Sequence, residues 1–151
     1  MESLLIGLVS GAITAVVTYF ATLSKARLDL TIEYDKELRE RRLAAYKELW
    51  PRMKPLARYS PERPITYLVV KETSEKMRDW YFGGGGIFLS EESRKPYFAL
   101  KRAMQGIIDD PNSQENTDKP LGKQLNPLYE RGRALREALS NDIGTRRRPF
   151  I

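Results

Sequence analysis

Residues 3–24 carry no charged side chain, and Glu2 and Lys25 close the run at its two ends. At the α-helical rise of about 1.5 Å per residue, these twenty-two residues reach about 33 Å, the hydrocarbon thickness of a bilayer. Ten of them are strongly apolar. At roughly −0.3 to −0.6 kcal/mol each near mid-bilayer they contribute on the order of −3 to −6 kcal/mol, which the Ser, Thr and Gly residues offset only in part. The run therefore reads as a transmembrane helix. A secretory signal fits less well, because it wants a positively charged start, a shorter apolar core and a small-x-small cleavage site, whereas this chain opens Met1-Glu2. A soluble core helix seldom runs this far without a charge.

The flanks give an orientation. Lys25, Arg27, Lys36, Arg39, Arg41 and Arg42 follow the span and no Lys or Arg precedes it, so the rule that such residues stay inside predicts a cytoplasmic body and an outward N-terminus. The absence of cysteine agrees with a reducing compartment. Within the run, Ser3, Gly7, Gly11 and Ala15 recur every four residues. Small side chains on one stripe let helix backbones approach closely, which predicts a homo-oligomer associating through the span.

The rest of the chain is large enough to bury one core without disulfides or metal. The whole chain's charged fraction of 30%, with both signs interspersed, is ordinary for a helical surface, and a net charge of +6, or +7 without Glu2, argues only weakly for an anionic partner. Nothing breaks a helix from Lys25 to Trp50, and Asp35 with Arg39, Lys36 with Glu40 and Glu37 with Arg41 set opposite charges one turn apart. The membrane helix is thus expected to continue into a charged stalk over residues 25–44. Its apolar seam is poor, since stepping from Leu28 by threes and fours meets Asp35 and Arg42. Ala45, Tyr46, Leu49, Trp50 and Met53 then share one face and should enter a core.

Pro51, Pro55, Pro61 and Pro64 interrupt the next stretch, and Pro64 is a suitable first residue for a helix reaching about Phe82. Residues 65–70 are rich in β-branched and aromatic side chains and are also compatible with a strand start. Val70, Thr73, Met77, Trp80 and Tyr81 follow helical spacing, which favours the helix. Ser90 before Glu91 and Glu92 is a cap followed by acids at the positive end of a dipole, although Pro96 argues for a start nearer Ser93. Tyr97, Leu100, Met104 and Ile107 form the buried stripe of that helix. Residues 112–122 read as a loop. Asn126-Pro127 opens a last helix with Leu128, Gly132, Leu135 and Leu139 facing inward, and Gly144 ends it. The expected fold is all-α: an N-terminal transmembrane helix at 3–24, a stalk at 25–44, a small antiparallel helical bundle at 45–144 and a basic tail at 145–151.

Chemistry has few carriers here. Gly83, Gly84, Gly85 and Gly86, preceded by Trp80 and followed by Ser90, have the general layout of an anion cradle at a helix start. The lysine of a phosphate loop and the strand of a dinucleotide fold are missing, so a tight turn with aromatics packed beside it explains the same residues. Arg146, Arg147 and Arg148 form a short basic cluster suited to an anionic leaflet at about 1 kcal/mol per cation, with nucleic acid the poorer fit. Without His or Cys the usual general base, thiol and metal chemistries are absent; carboxylate-only sites stay open with Glu91, Glu92, Asp109, Asp110 and Asp142 available, but no spacing makes a pair of them converge, so no catalytic residue, metal or cofactor is expected.

Three strings, 39–50 (RERRLAAYKELW), 80–92 around the glycines and 135–148 (LREALSNDIGTRRR), resemble those of short, uncharacterised bacterial proteins with one N-terminal membrane helix and a helical cytoplasmic part. The resemblance implies a bacterial inner-membrane, single-pass placement and carries no activity or functional residues with it. The expected role is a membrane-tethered helical interaction or scaffold module, with the bilayer, further copies of itself and a cytoplasmic protein as partners. The alternative is a small-ligand sensor or membrane-acting effector using the glycine turn.

Overall fold

The computed structural model describes residues 2–59, 64–115, 117–122 and 125–144, without the side chains of 2–14, 16 and 113. Among them the order is α1 (Glu2–Arg52), a 3-10 turn (Lys54–Leu56), α2 (Tyr67–Phe82), a second 3-10 turn (Gly85–Phe88), α3 (Glu91–Ile108), the short α4 (Pro111–Glu115) and α5 (Leu125–Asp142). The chain divides into two units, Met1–Leu38 and Arg39–Ile151.

The first unit is one stretch of helix, the N-terminal part of α1. Every described side chain from 17 to 37 is exposed. Among the described residues no helix is long and apolar enough to cross a membrane. The expected span at 3–24 falls largely outside that finding, because the side chains of 2–14 and 16 lie outside the described residues. The exposure of Ser3, Gly7 and Gly11 lies outside what is described as well, while Ala15 is exposed.

The second unit is an all-α bundle built on the stripes that helical spacing marks. Tyr97, Leu100, Met104 and Ile107 of α3, Leu128, Leu135 and Leu139 of α5, and Val70, Met77 and Trp80 of α2 all join one core with Tyr46 and Leu49 of α1 and with Met53 just beyond its end. Helices α2 and α3 run antiparallel, as do α3 and α5. Tyr97 Oη donates to the Met77 carbonyl at 2.9 Å and Lys101 Nζ, one turn on, donates to the Ser74 carbonyl at 2.7 Å, one turn back. In the same way Ser90 meets Asp142 while Arg131 Nη1 donates to the Ala99 carbonyl at 3.2 Å, which sets α3 against α5.

Four local expectations are corrected. α2 begins at Tyr67, not Pro64, because Ile65 and Thr66 are extended: the Ile65 carbonyl accepts from Leu121 N at 3.0 Å and Thr66 forms an antiparallel bridge with Pro120. The β-branched composition there is expressed as one bridge. α3 begins at Glu91 in spite of Pro96, since Ser90 Oγ accepts from Ser93 N at 3.0 Å and caps the first turn. Residues 112–122, expected as a loop, share their first part with α4. Trp50, expected in the core, is 45% exposed. It lies about 100° around the helix from Leu49, at the margin of the buried face. Gly144 ends α5 as expected, with φ 75° and its N–H on the Asn141 carbonyl at 3.0 Å.

Candidate functional site

The four glycines form the link between α2 and α3, and packing accounts for each in a different way. Gly83 donates to the Asp79 carbonyl at 2.8 Å and closes α2 so tightly that a Cβ would sit 2.9 Å from that oxygen. Gly84 has φ 108°, a backbone conformation that L side chains rarely adopt. Gly85 lies on the indole of Trp80, where a Cβ would be 2.1 Å from Cε2, and Gly86 lies on the ring of Tyr81, where it would be 2.7 Å from Cδ2. The turn is therefore folded down onto two aromatics. Trp80 is fixed beneath it by its indole N–H, which donates to the Ala45 carbonyl at 3.0 Å.

Beside this turn is a groove of about 400 Å³, into which Trp80, Gly83, Gly84 and Gly85 bring the face of α1 that carries Arg41, Ala45 and Glu48. Of the six residues expected to bind a ligand, the other two point elsewhere. Gly86 is buried against Tyr81, and Ser90 turns toward the end of α5. Phe82 and Ile87 flank the turn and are 80% and 81% exposed. Large apolar groups held out by a rigid turn are suited to contact with another apolar surface.

On the other side of the turn lies a polar node that joins three elements. Asp142 accepts from Tyr46 Oη at 2.7 Å through Oδ2 and from Ser90 Oγ at 2.8 Å through Oδ1. The Phe88 carbonyl lies 3.0 Å from Tyr46 Oη and accepts from Arg42 Nε at 3.2 Å. Both carboxylate oxygens are thus occupied by neutral donors. Burial, and next the hydrogen bond to Asp142, push the Tyr46 phenol above its ordinary range, with Ser93 and Arg42 opposing. The node therefore fastens α1, the turn before α3 and the end of α5 to one another. Asp142 was visible in the sequence only as one available carboxylate. Nothing in the spacing links positions 42, 46, 90 and 142.

A second groove, about 290 Å³, runs between α1 and α5 past Leu43, Trp50, Leu139 and Ile143. No group of three or more acidic residues able to hold a metal occurs among the described residues. Arg146, Arg147 and Arg148 lie outside the described residues.

Two buried phenols give a pH prediction. Burial raises the pKa of Tyr97, and burial with the Asp142 hydrogen bond raises that of Tyr46. A raised folded-state pKa means that stability is full below the unfolded value of about 10 and is lost as pH climbs beyond it. Tyrosinate absorbance should accordingly show two of the eight tyrosines titrating only as the chain unfolds. Urea unfolding of the Tyr46→Phe/Tyr97→Phe variant should fall less steeply between about pH 9 and 11 than that of the parent; equal slopes would contradict the assignment.

No family model, curated protein or solved structure matches the chain.

Proposed function

We propose that this protein is a membrane-tethered helical interaction module, whose apolar run at 3–24 sits in a bilayer and whose second unit, on the cytoplasmic side, meets a protein partner. The observation that carries the reading is the first unit itself. It is a single helix whose described side chains up to Glu37 are exposed, among them Val17 at 62%, Tyr19 at 61% and Phe20 at 62%. In water such a helix has neither a core nor an amphipathic face to hold it, because most helical stability in proteins comes from tertiary packing. Lipid supplies the missing solvent for residues up to Ser24, and the charge-free sequence of 3–24 fits it. Association through Ser3, Gly7, Gly11 and Ala15 is part of the same reading.

The second unit supports a binding role over a chemical one. Its polar node is internally satisfied, Gly85 and Gly86 are explained by Trp80 and Tyr81, and the exposed Phe82 and Ile87 offer contact area with no reactive group. Flotation tests the tether. Full-length protein mixed with vesicles is expected to rise with the lipid in a density gradient and to resist extraction at alkaline pH. A folded, monodisperse chain left in the aqueous fraction would overturn the reading.

A further inference from the structure

Residues 28–35, Leu-Asp-Leu-Thr-Ile-Glu-Tyr-Asp, alternate apolar and polar without a break. In a strand this period would place all four apolar groups on one face. The segment is helical, as part of α1, and residues two apart on a helix are turned about 200° from each other. The alternation therefore separates into two pairs. Leu28 with Ile32 and Leu30 with Tyr34 are each four residues apart, so each pair stacks on one stripe, and the two stripes lie on nearly opposite sides. All four are well exposed, at 59%, 58%, 67% and 65%.

We propose that residues 28–34 are a two-sided self-association surface, on which the Leu28/Ile32 stripe of one copy packs against the Leu30/Tyr34 stripe of the next. A second copy is the occupant because each chain carries both halves of the contact, offset by only two residues, about 3 Å along the axis. Parallel copies in register thus bring unlike stripes together. The polar stripe between them has both signs, Lys25 and Lys36 with Asp29 and Glu33, so adjacent copies can pair opposite charges beside the apolar contact. A two-fold dimer would bury one stripe twice and leave the other wet. A contact between unlike stripes covers both and continues past two copies, closing as a ring or running on.

The parallel register rests on the tethered reading above, and the test separates the two. The chain has no cysteine, so Leu28→Cys/Leu30→Cys puts one thiol on each stripe of an otherwise inert protein. Full-length protein at high lipid dilution, treated with a short bis-maleimide, is expected to give a ladder of covalent trimers and larger species. Either single variant alone should crosslink little, and a mixture of the two singles should give dimers. Tryptophan emission in the same samples, from Trp50 and Trp80, confirms that the second unit is folded. The ladder is read from whichever density fraction holds the protein, so a chain that fails to float counts against the tether alone. Products that stop at dimer, strong crosslinking of a single variant with itself, or no products would each overturn the two-sided contact.

Discussion

Gly85→Ala is expected to destabilise the second unit by about 3 kcal/mol, the upper part of the range for overpacking a filled site. The added methyl would lie 2.1 Å from Trp80 Cε2 and 2.5 Å from Cζ2, far inside contact distance. Relief is hard to find. Trp80 is 3% exposed, its ring lies 5.9 Å from that of Tyr97, and its N–H is tied to the Ala45 carbonyl. Moving the indole would break that bond and disturb the α2 packing on α1. Moving the turn would drag Phe88, whose carbonyl takes Arg42 and Tyr46. Gly106→Ala is the matched control. It lies inside α3 with nothing within 4 Å of a new Cβ, so it should gain about 0.5–1 kcal/mol from helix propensity. Urea unfolding followed by tryptophan emission in one fixed detergent checks both. If Gly85→Ala came within about 0.5 kcal/mol of the parent, the range of ordinary surface substitutions, the turn would not be packed as described.

The same glycines mark a limit on what sequence can tell. Four in a row announce a turn, and the local rules for left-handed backbone account for Gly84 alone. That Gly85 and Gly86 are needed for closeness to Trp80 and Tyr81 is a fact of tertiary packing, and the sequence leaves the same residues equally open to a phosphate. Periodicity, by contrast, reached the core almost directly. The α3 and α5 stripes are buried as their spacing of threes and fours requires, because each such stripe must find a face to cover it. Trp50 escaped that logic, since a residue at the margin of a stripe is decided by the shape of its neighbours.

The 28–35 segment is hard to read for a different reason. Heptad steps from Leu28 run into Asp35 and Arg42, so the seam along that one face is poor. A helix with two apolar faces shows itself only when both stripes are followed at once. Local pattern and adopted structure conflict here, since strict alternation suits a strand, and conflicts of this kind tend to fall where a chain has work to do. The conflict disappears if both stripes are covered.

Asp142→Ala is the second large effect, with an expected loss of about 3 kcal/mol, because hydrogen bonds to a charged acceptor are worth roughly 1.5–3 kcal/mol each and two are removed. One carboxylate holds the end of α5 to α1 through Tyr46 and to the α3 cap through Ser90. Without it Tyr46 Oη keeps the Phe88 carbonyl, while Ser90 keeps only its contacts with Ser93. The damage should therefore fall unevenly. Ser90→Ala alone should cost about 1–2 kcal/mol as a lost cap and a lost bond. Tyr46→Phe alone should cost less than Asp142→Ala, since it removes one donor and leaves Asp142 to Ser90. In Asp142→Asn the amide oxygen still accepts from one hydroxyl, but its NH₂ faces the other, so the loss should lie between the parent and Asp142→Ala. A double-mutant cycle isolates the shared part. The Asp142→Ala and Ser90→Ala losses should sum to more than the double variant by about 1–2 kcal/mol, as expected for residues in one network. Strict additivity would mean that the Ser90–Asp142 hydrogen bond contributes nothing to joining the end of α5 to the α3 cap.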